Sequence, residues 1–149
     1  MIPAVDLRCT VEAPARAPAG QPLMVRFVLT NAGSAPVQVL RWNTPWEGGW
    51  FAPFVTVTRD GKPLRYEGPA FKRGDPRVDQ YLLLPVRTSL TASLDLALPF
   101  NLSQPGRYAL KPRIRALDAF DARVASAPRA RQWQQSLDLA CPAVEFALE

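Results

Sequence analysis

Histidine is absent from this chain of 149 residues. A Ser-His-Asp or Cys-His site passes its proton through an imidazole, so both are excluded. The zinc motif HExxH needs two imidazoles and is excluded with them. Cysteine is nearly absent: Cys9 and Cys141 are the two present. Two thiols without histidine cannot complete an ordinary four-ligand zinc site, so neither metal nor cofactor is expected. Long apolar runs are missing, and none approaches the roughly 20 residues that cross a bilayer as a helix. The start, Met1 to Asp6, lacks the basic and then apolar pattern of a signal peptide. A secreted or periplasmic protein would therefore carry its leader outside this chain, and a cytoplasmic one also fits. Paired carboxylates are scarce. Asp118 and Asp121 have the spacing of one helix face, and Asp75 and Asp79 fall in a loop. Neither pair comes with a nucleophile or a metal-binding partner. No catalytic residue is expected, and the chain does not read as an enzyme.

What is present suits a folded domain. The hydrophobic fraction is 48% and the charged fraction 21%, ordinary for a globular protein. The length fits a single domain over residues 1–149 that can bury a proper core. Sixteen prolines spread along the chain argue against long helices and for short strands joined by turns. The net charge of +5 comes from scattered arginines, many alternating with apolar residues as solvent-facing strand positions do. No nucleic-acid recognition motif accompanies them. The Ala/Arg/Pro-heavy composition leans bacterial.

Period-two alternation recurs along the chain. Val5, Leu7, Cys9 and Val11 form one apolar face. Val25, Phe27 and Leu29 form another, followed by the turn residues Asn31-Ala32-Gly33-Ser34. Further strands are predicted at Val37–Trp42, Phe54–Thr58, Leu64–Tyr66, Tyr81–Leu84, Leu90–Leu96, Arg107–Ile114, Leu137–Cys141 and Val144–Leu148. Asp60-Gly61 is a hairpin signal, since both residues tolerate positive φ. The apolar phase changes across Cys141-Pro142, which a β-bulge would explain. Residues 115–135 form the one irregular or short helical insertion. The fold class is all-β: an immunoglobulin-like antiparallel β-sandwich, with Trp42 or Leu40 packed between its sheets. Cys9 and Cys141 lie near the first and last strands. They are either buried small residues or a disulfide between those strands, and a disulfide would put the protein outside the cytosol.

Several blocks, taken in order, carry a family resemblance. They are VRFVLTNAG from Val25, LRWNTPWEG from Leu40, FVTVTRDG from Phe54, YEGP from Tyr66, Lys72-Arg73-Gly74, and the turn from Ser103 to Tyr108. Together they resemble the amino-terminal domain of deuterolysin-like and peptidyl-Lys metalloendopeptidases, over most of the chain. The Trp42-Asn43-Thr44-Pro45 block and the blocks that follow it are the more specific part. The resemblance implies a propeptide-like domain that assists the folding of a zinc protease and restrains its activity. HExxH and its downstream aspartate ligand have no counterpart here, so none of the family's catalytic residues maps onto this sequence.

The expected function is a non-catalytic binding module whose protein partner is a zinc metalloendopeptidase that it inhibits or chaperones. The alternative is a structural or adhesive module of the cell envelope with no protease partner. The expected contact residues are Trp46, Trp50 and Phe51 on one loop, where five aromatics crowd a short span, and Lys72, Arg73 and Arg77 on another. Exposed tryptophan is typical of binding hot spots.

Overall fold

The computed structural model describes residues 2–149 as strands joined by irregular loops and three short 3-10 turns, with no α-helix among them. The strands are β1 (Leu7–Glu12), β2 (Arg16–Ala17), β3 (Met24–Asn31), β4 (Val37–Leu40), β5 (Val55–Arg59), β6 (Lys62–Pro63) and β7 (Tyr81–Leu84). They continue as β8 (Ser89–Asp95), β9 (Gly106–Pro112), β10 (Ile114–Ala116), β11 (Ala119–Asp121), β12 (Leu137–Leu139) and β13 (Val144–Leu148).

A three-stranded sheet, β1-β3-β8, faces a five-stranded sheet, β2-β13-β9-β5-β6. Burial alternates strictly along β1 and nearly so along β3 and β9. The inward rows of both sheets merge into one core containing Val25, Phe27, Leu29, Val57, Leu110 and Phe146. The expected β-sandwich is therefore the observed one. Every pairing is antiparallel except that of β13 with β2.

Two long ribbons bend out of this sandwich. β3 and β4 run on through residues 32–36, and β7 and β8 run back beside them, with β3 pairing β8 and β4 pairing β7. Asn31 holds the bend. It is fully buried, its Nδ2 donates to the carbonyls of Ala35 and Leu84 at 2.9 Å, and its Oδ1 accepts from Gly33 N–H. A buried amide with three of its hydrogen bonds made locks the backbone it joins. Gly33 is required for a separate reason: a Cβ there would lie 2.9 Å from the Asp6 nitrogen on the crossing amino-terminal segment. In the second ribbon β9 pairs β13 and β10 pairs β12. Its bend falls at Pro112-Arg113 and at Ala140 to Ala143. The phase change at Cys141-Pro142 is thus a passage between two sheets rather than a bulge within one strand.

The Asp-Gly turn appears as read, with Asp60 at φ 50° and Gly61 at φ 81°. Cys9 on β1 and Cys141 after β12 are joined by a disulfide. The expected insertion differs from its reading. Its first part carries the strands β10 and β11, residues 122–130 are irregular, and one 3-10 turn, Arg131–Trp133, lies near its end. Asp121 lies on a strand and Asp118 in the turn before it, so the two carboxylates do not share a helix face.

Candidate functional site

The block Trp42 to Gly48 folds as a plug on the open end of the sandwich. Asn43 takes φ 60° and turns the chain out of β4. Thr44 Oγ1 donates to the Arg41 carbonyl at 2.7 Å, and Pro45–Glu47 then make a 3-10 turn ending in a left-handed Gly48. This turn drives Trp46 inward, where its Nε1 donates to the Phe27 and Leu90 carbonyls at 3.3 and 3.1 Å. Trp50 follows and donates to the Asp95 carbonyl at 2.9 Å. Its ring stacks on Phe54 at 4.7 Å and meets Phe27 edge-on.

Trp46 and Trp50 are each 6% exposed, which corrects the expectation that they form a contact surface. Trp46 and Trp50 can be buried because the indole N–H of each finds a backbone carbonyl, removing the usual penalty for burying it. Phe27, Trp46, Trp50, Phe54, Phe100, Tyr108 and Phe146 all belong to the core between the sheets. Trp42 and Leu40 belong instead to a second apolar cluster with Tyr81 and Phe120, which corrects their placement between the sheets.

The second expected loop splits in two. Arg73 turns inward: its Nη2 bonds Glu47 Oε1 at 2.7 Å, and its guanidinium lies 5.1 Å from the Trp42 ring centre and 5.9 Å from those of Phe51 and Phe71. Arg73 Nε and Trp42 Nε1 make no hydrogen bond, and the stacked cation is the interaction both groups share. Glu47 also accepts from Asn43 N–H at 3.0 Å. The ion pair therefore ties the loop over 68–77 to the plug, and Arg73 is a positioning residue rather than a surface one. Lys72, Arg77 and Phe71 remain exposed, and Phe51 is half-buried beside Phe71.

The most tightly bonded polar group lies elsewhere. Asp118 is fully buried and takes an ion pair from Arg129, a hydrogen bond from Tyr81 Oη at 2.7 Å and another from Gln135 N–H at 3.0 Å. Arg129 lies 4.0 Å over the Phe120 ring. Burial, and then the hydrogen bond to Asp118, push the Tyr81 hydroxyl up to about 12. This network straps 122–136 across the outer face of the β11-β4-β7 sheet. Sequence reading missed it because its three side chains are far apart in the chain and only the fold brings them together. It also missed Trp133, the exposed tryptophan, which is 68% accessible on the strap. Nothing in the local pattern separates it from the three buried ones.

No family model matches the chain. It is 38% identical over 112 residues to an extracellular protease of Aeromonas hydrophila, covering 75% of this chain and 31% of that one. It is 27% identical over 90 residues to a neutral protease 2 homolog of Arthroderma gypseum, covering 59% of this chain and 24% of that one. Among solved structures, the CARDB domain of a Pyrococcus furiosus protein aligns with a TM-score of 0.40 at 10% identity, over 99% of this chain and 96% of that one. The chain thus spans between 24% and 31% of the length of these protease relatives.

Proposed function

We propose that this chain is a non-catalytic module that binds the catalytic domain of a secreted zinc endopeptidase and restrains it or assists its folding. One observation carries the reading: the similarity is to a minor part of proteins named as proteases, in a chain whose lack of histidine removes HExxH. The contact surface in this reading is the exposed part of the 68–77 loop, Lys72 and Arg77 with Phe71, backed by Phe51. Arg73 and Glu47 hold that loop in place, and a pre-ordered loop binds at a lower entropic cost than a free one. The disulfide and the relative named as extracellular support an oxidising compartment.

The test is titration of this protein into a purified deuterolysin-like catalytic domain while following peptide cleavage. Stoichiometric loss of activity that weakens in Lys72→Glu/Arg77→Glu, and falls off with added salt, supports the reading. Unchanged cleavage at a large excess of the module overturns it. Trp46 and Trp50 are poor sites for this test, since their substitution damages the core.

A further inference from the structure

Arg73 sits in a cage of aromatic rings, and most of that cage belongs to the body of the domain. The plug supplies the Trp42 ring at 5.1 Å, the Glu47 carboxylate at 2.7 Å and Asn43 Oδ1 at 3.4 Å, and Phe51 follows at 5.9 Å. The 68–77 loop supplies only Phe71, at 5.9 Å, and the cation itself. The body half is ordered without the loop. Glu47 Oε1 accepts the Asn43 N–H at 3.0 Å, a bond internal to the plug. The Phe51 ring rests on Gly49, where an added Cβ would come within 3.0 Å of it. The hold of the loop on the body is slight. Among the described residues, 70–76 bond the rest of the domain through Phe71 N–H to the Phe51 carbonyl at 3.3 Å and otherwise only through Arg73. Arg73 Nε is buried without a hydrogen bond. A buried orphan donor is costly, so the closed loop carries a penalty that opening removes.

We infer that the cage is a binding site for a guanidinium group, that Arg73 is its tethered occupant, and that the 68–77 loop is a lid displaced by an arginine side chain of a partner. The ligand class is read from the group already there. Aromatic rings beside a carboxylate attract a planar cation, and the Arg73 side chain among them is only 18% exposed. A cation tethered on a short loop has an effective concentration on the order of millimolar. A free arginine must compete at that level, or bring further contacts, as one within a peptide does. Phe71 and Lys72 leave with the lid, so a bound arginine would also withdraw the contact surface proposed above. The site stands apart from the protease reading, because occupancy and lid release are measured without any cleavage assay.

The probe is Nα-acetyl-arginine amide, with the neutral citrulline analogue as control at matched ionic strength. In the wild type the rings around Arg73 should shift its Nε–H nuclear magnetic resonance signal away from that of free arginine. Titration to roughly 100 mM probe, well above the effective concentration of the tether, should carry that signal to the free position. The Trp42 indole signal, assigned with Trp42→Phe, should move in step. Arg73→Ala empties the cage and should bind the probe about tenfold more tightly than the wild type, since no tether competes. In that variant the citrulline analogue should bind at least about tenfold more weakly than the probe, and adding Glu47→Gln should weaken the probe several-fold. An Arg73 signal that stays in place while Arg73→Ala binds the probe overturns the inference and makes Arg73 a fixed structural latch. Equal binding of the citrulline analogue, or no binding of either by folded Arg73→Ala, also overturns it. If Arg73→Ala does not fold, displacement in the wild type decides alone: release of the Arg73 signal by the probe and not by its citrulline analogue supports the site, and no release overturns it.

Discussion

Arg129→Met leaves Asp118 as a fully buried carboxylate without its cation. Breaking one side of a buried ion pair typically costs about 3–5 kcal/mol. Two donors remain on Asp118, Tyr81 Oη at 2.7 Å and Gln135 N–H at 3.0 Å, which places the loss near the lower end, at about 3 kcal/mol. Part of it is the cation lying over Phe120, worth about 1 kcal/mol. Asp118→Leu strands Arg129 and the Tyr81 hydroxyl, but the Arg129 side chain is 14% exposed and can turn toward water. Its cost is expected at about 2–3 kcal/mol. The double variant removes both charges and fills the space with apolar atoms, so it should cost only about 1–2 kcal/mol. Urea unfolding of the four proteins then yields a coupling energy of about 3 kcal/mol or more. Trypsin adds a local reading, because Arg123 and Arg131 are exposed on the strap and should be cut faster in each single variant than in the double. Additivity of the two single losses within about 0.5 kcal/mol would refute the claim that this pair fastens the strap.

Tyr81 supplies a pH test. Its folded value near 12 lies above the unfolded value of about 10, so the unfolded chain releases the phenolic proton first. Stability from this group is complete below pH 10, declines above it and is gone past pH 12. The loss is about 2 kcal/mol, and Tyr81→Phe should flatten that limb in pH-dependent denaturation. Breaking the Cys9–Cys141 bond releases a loop spanning 132 residues, for which chain entropy gives about 4–5 kcal/mol. Melting curves with and without reductant, and of Cys9→Ala/Cys141→Ala, measure it. Trp50→Ala opens a cavity among Phe27 and Phe54 and should cost about 3–5 kcal/mol. Trp133→Ala should cost under about 0.5 kcal/mol and remove most of the iodide-quenchable fluorescence.

Much of the sandwich was legible because its strands have one wet and one dry face. β1, β3 and β13 show their alternation directly, and the Asp60-Gly61 turn announces itself chemically. Short elements were not legible. β2 is two residues long and pairs in parallel with a strand from the other end of the chain. β11 is three residues, all buried, and no alternation can emerge from it. The aromatic loop misled for a specific reason. Composition counts indoles, but burying one is eased by a carbonyl within reach of its N–H. For Trp46 and Trp50 those carbonyls belong to Phe27, Leu90 and Asp95, distant in sequence. For the same reason the block that carries the family resemblance is largely a fold signature. Asn43, Thr44, Trp46 and Glu47 each make a bond that shapes the plug, and the exposed positions in its neighbourhood are Lys72 and Arg77.

The disulfide closes residues 9–141 into a covalent ring. Any single backbone cut between those residues, including one in the exposed strap, leaves both pieces attached to each other. A nicked molecule keeps its mass and its strand pairings until it meets a reductant. The ring can thus accumulate scars without dispersing, and the damage shows as a second band only on a reducing gel.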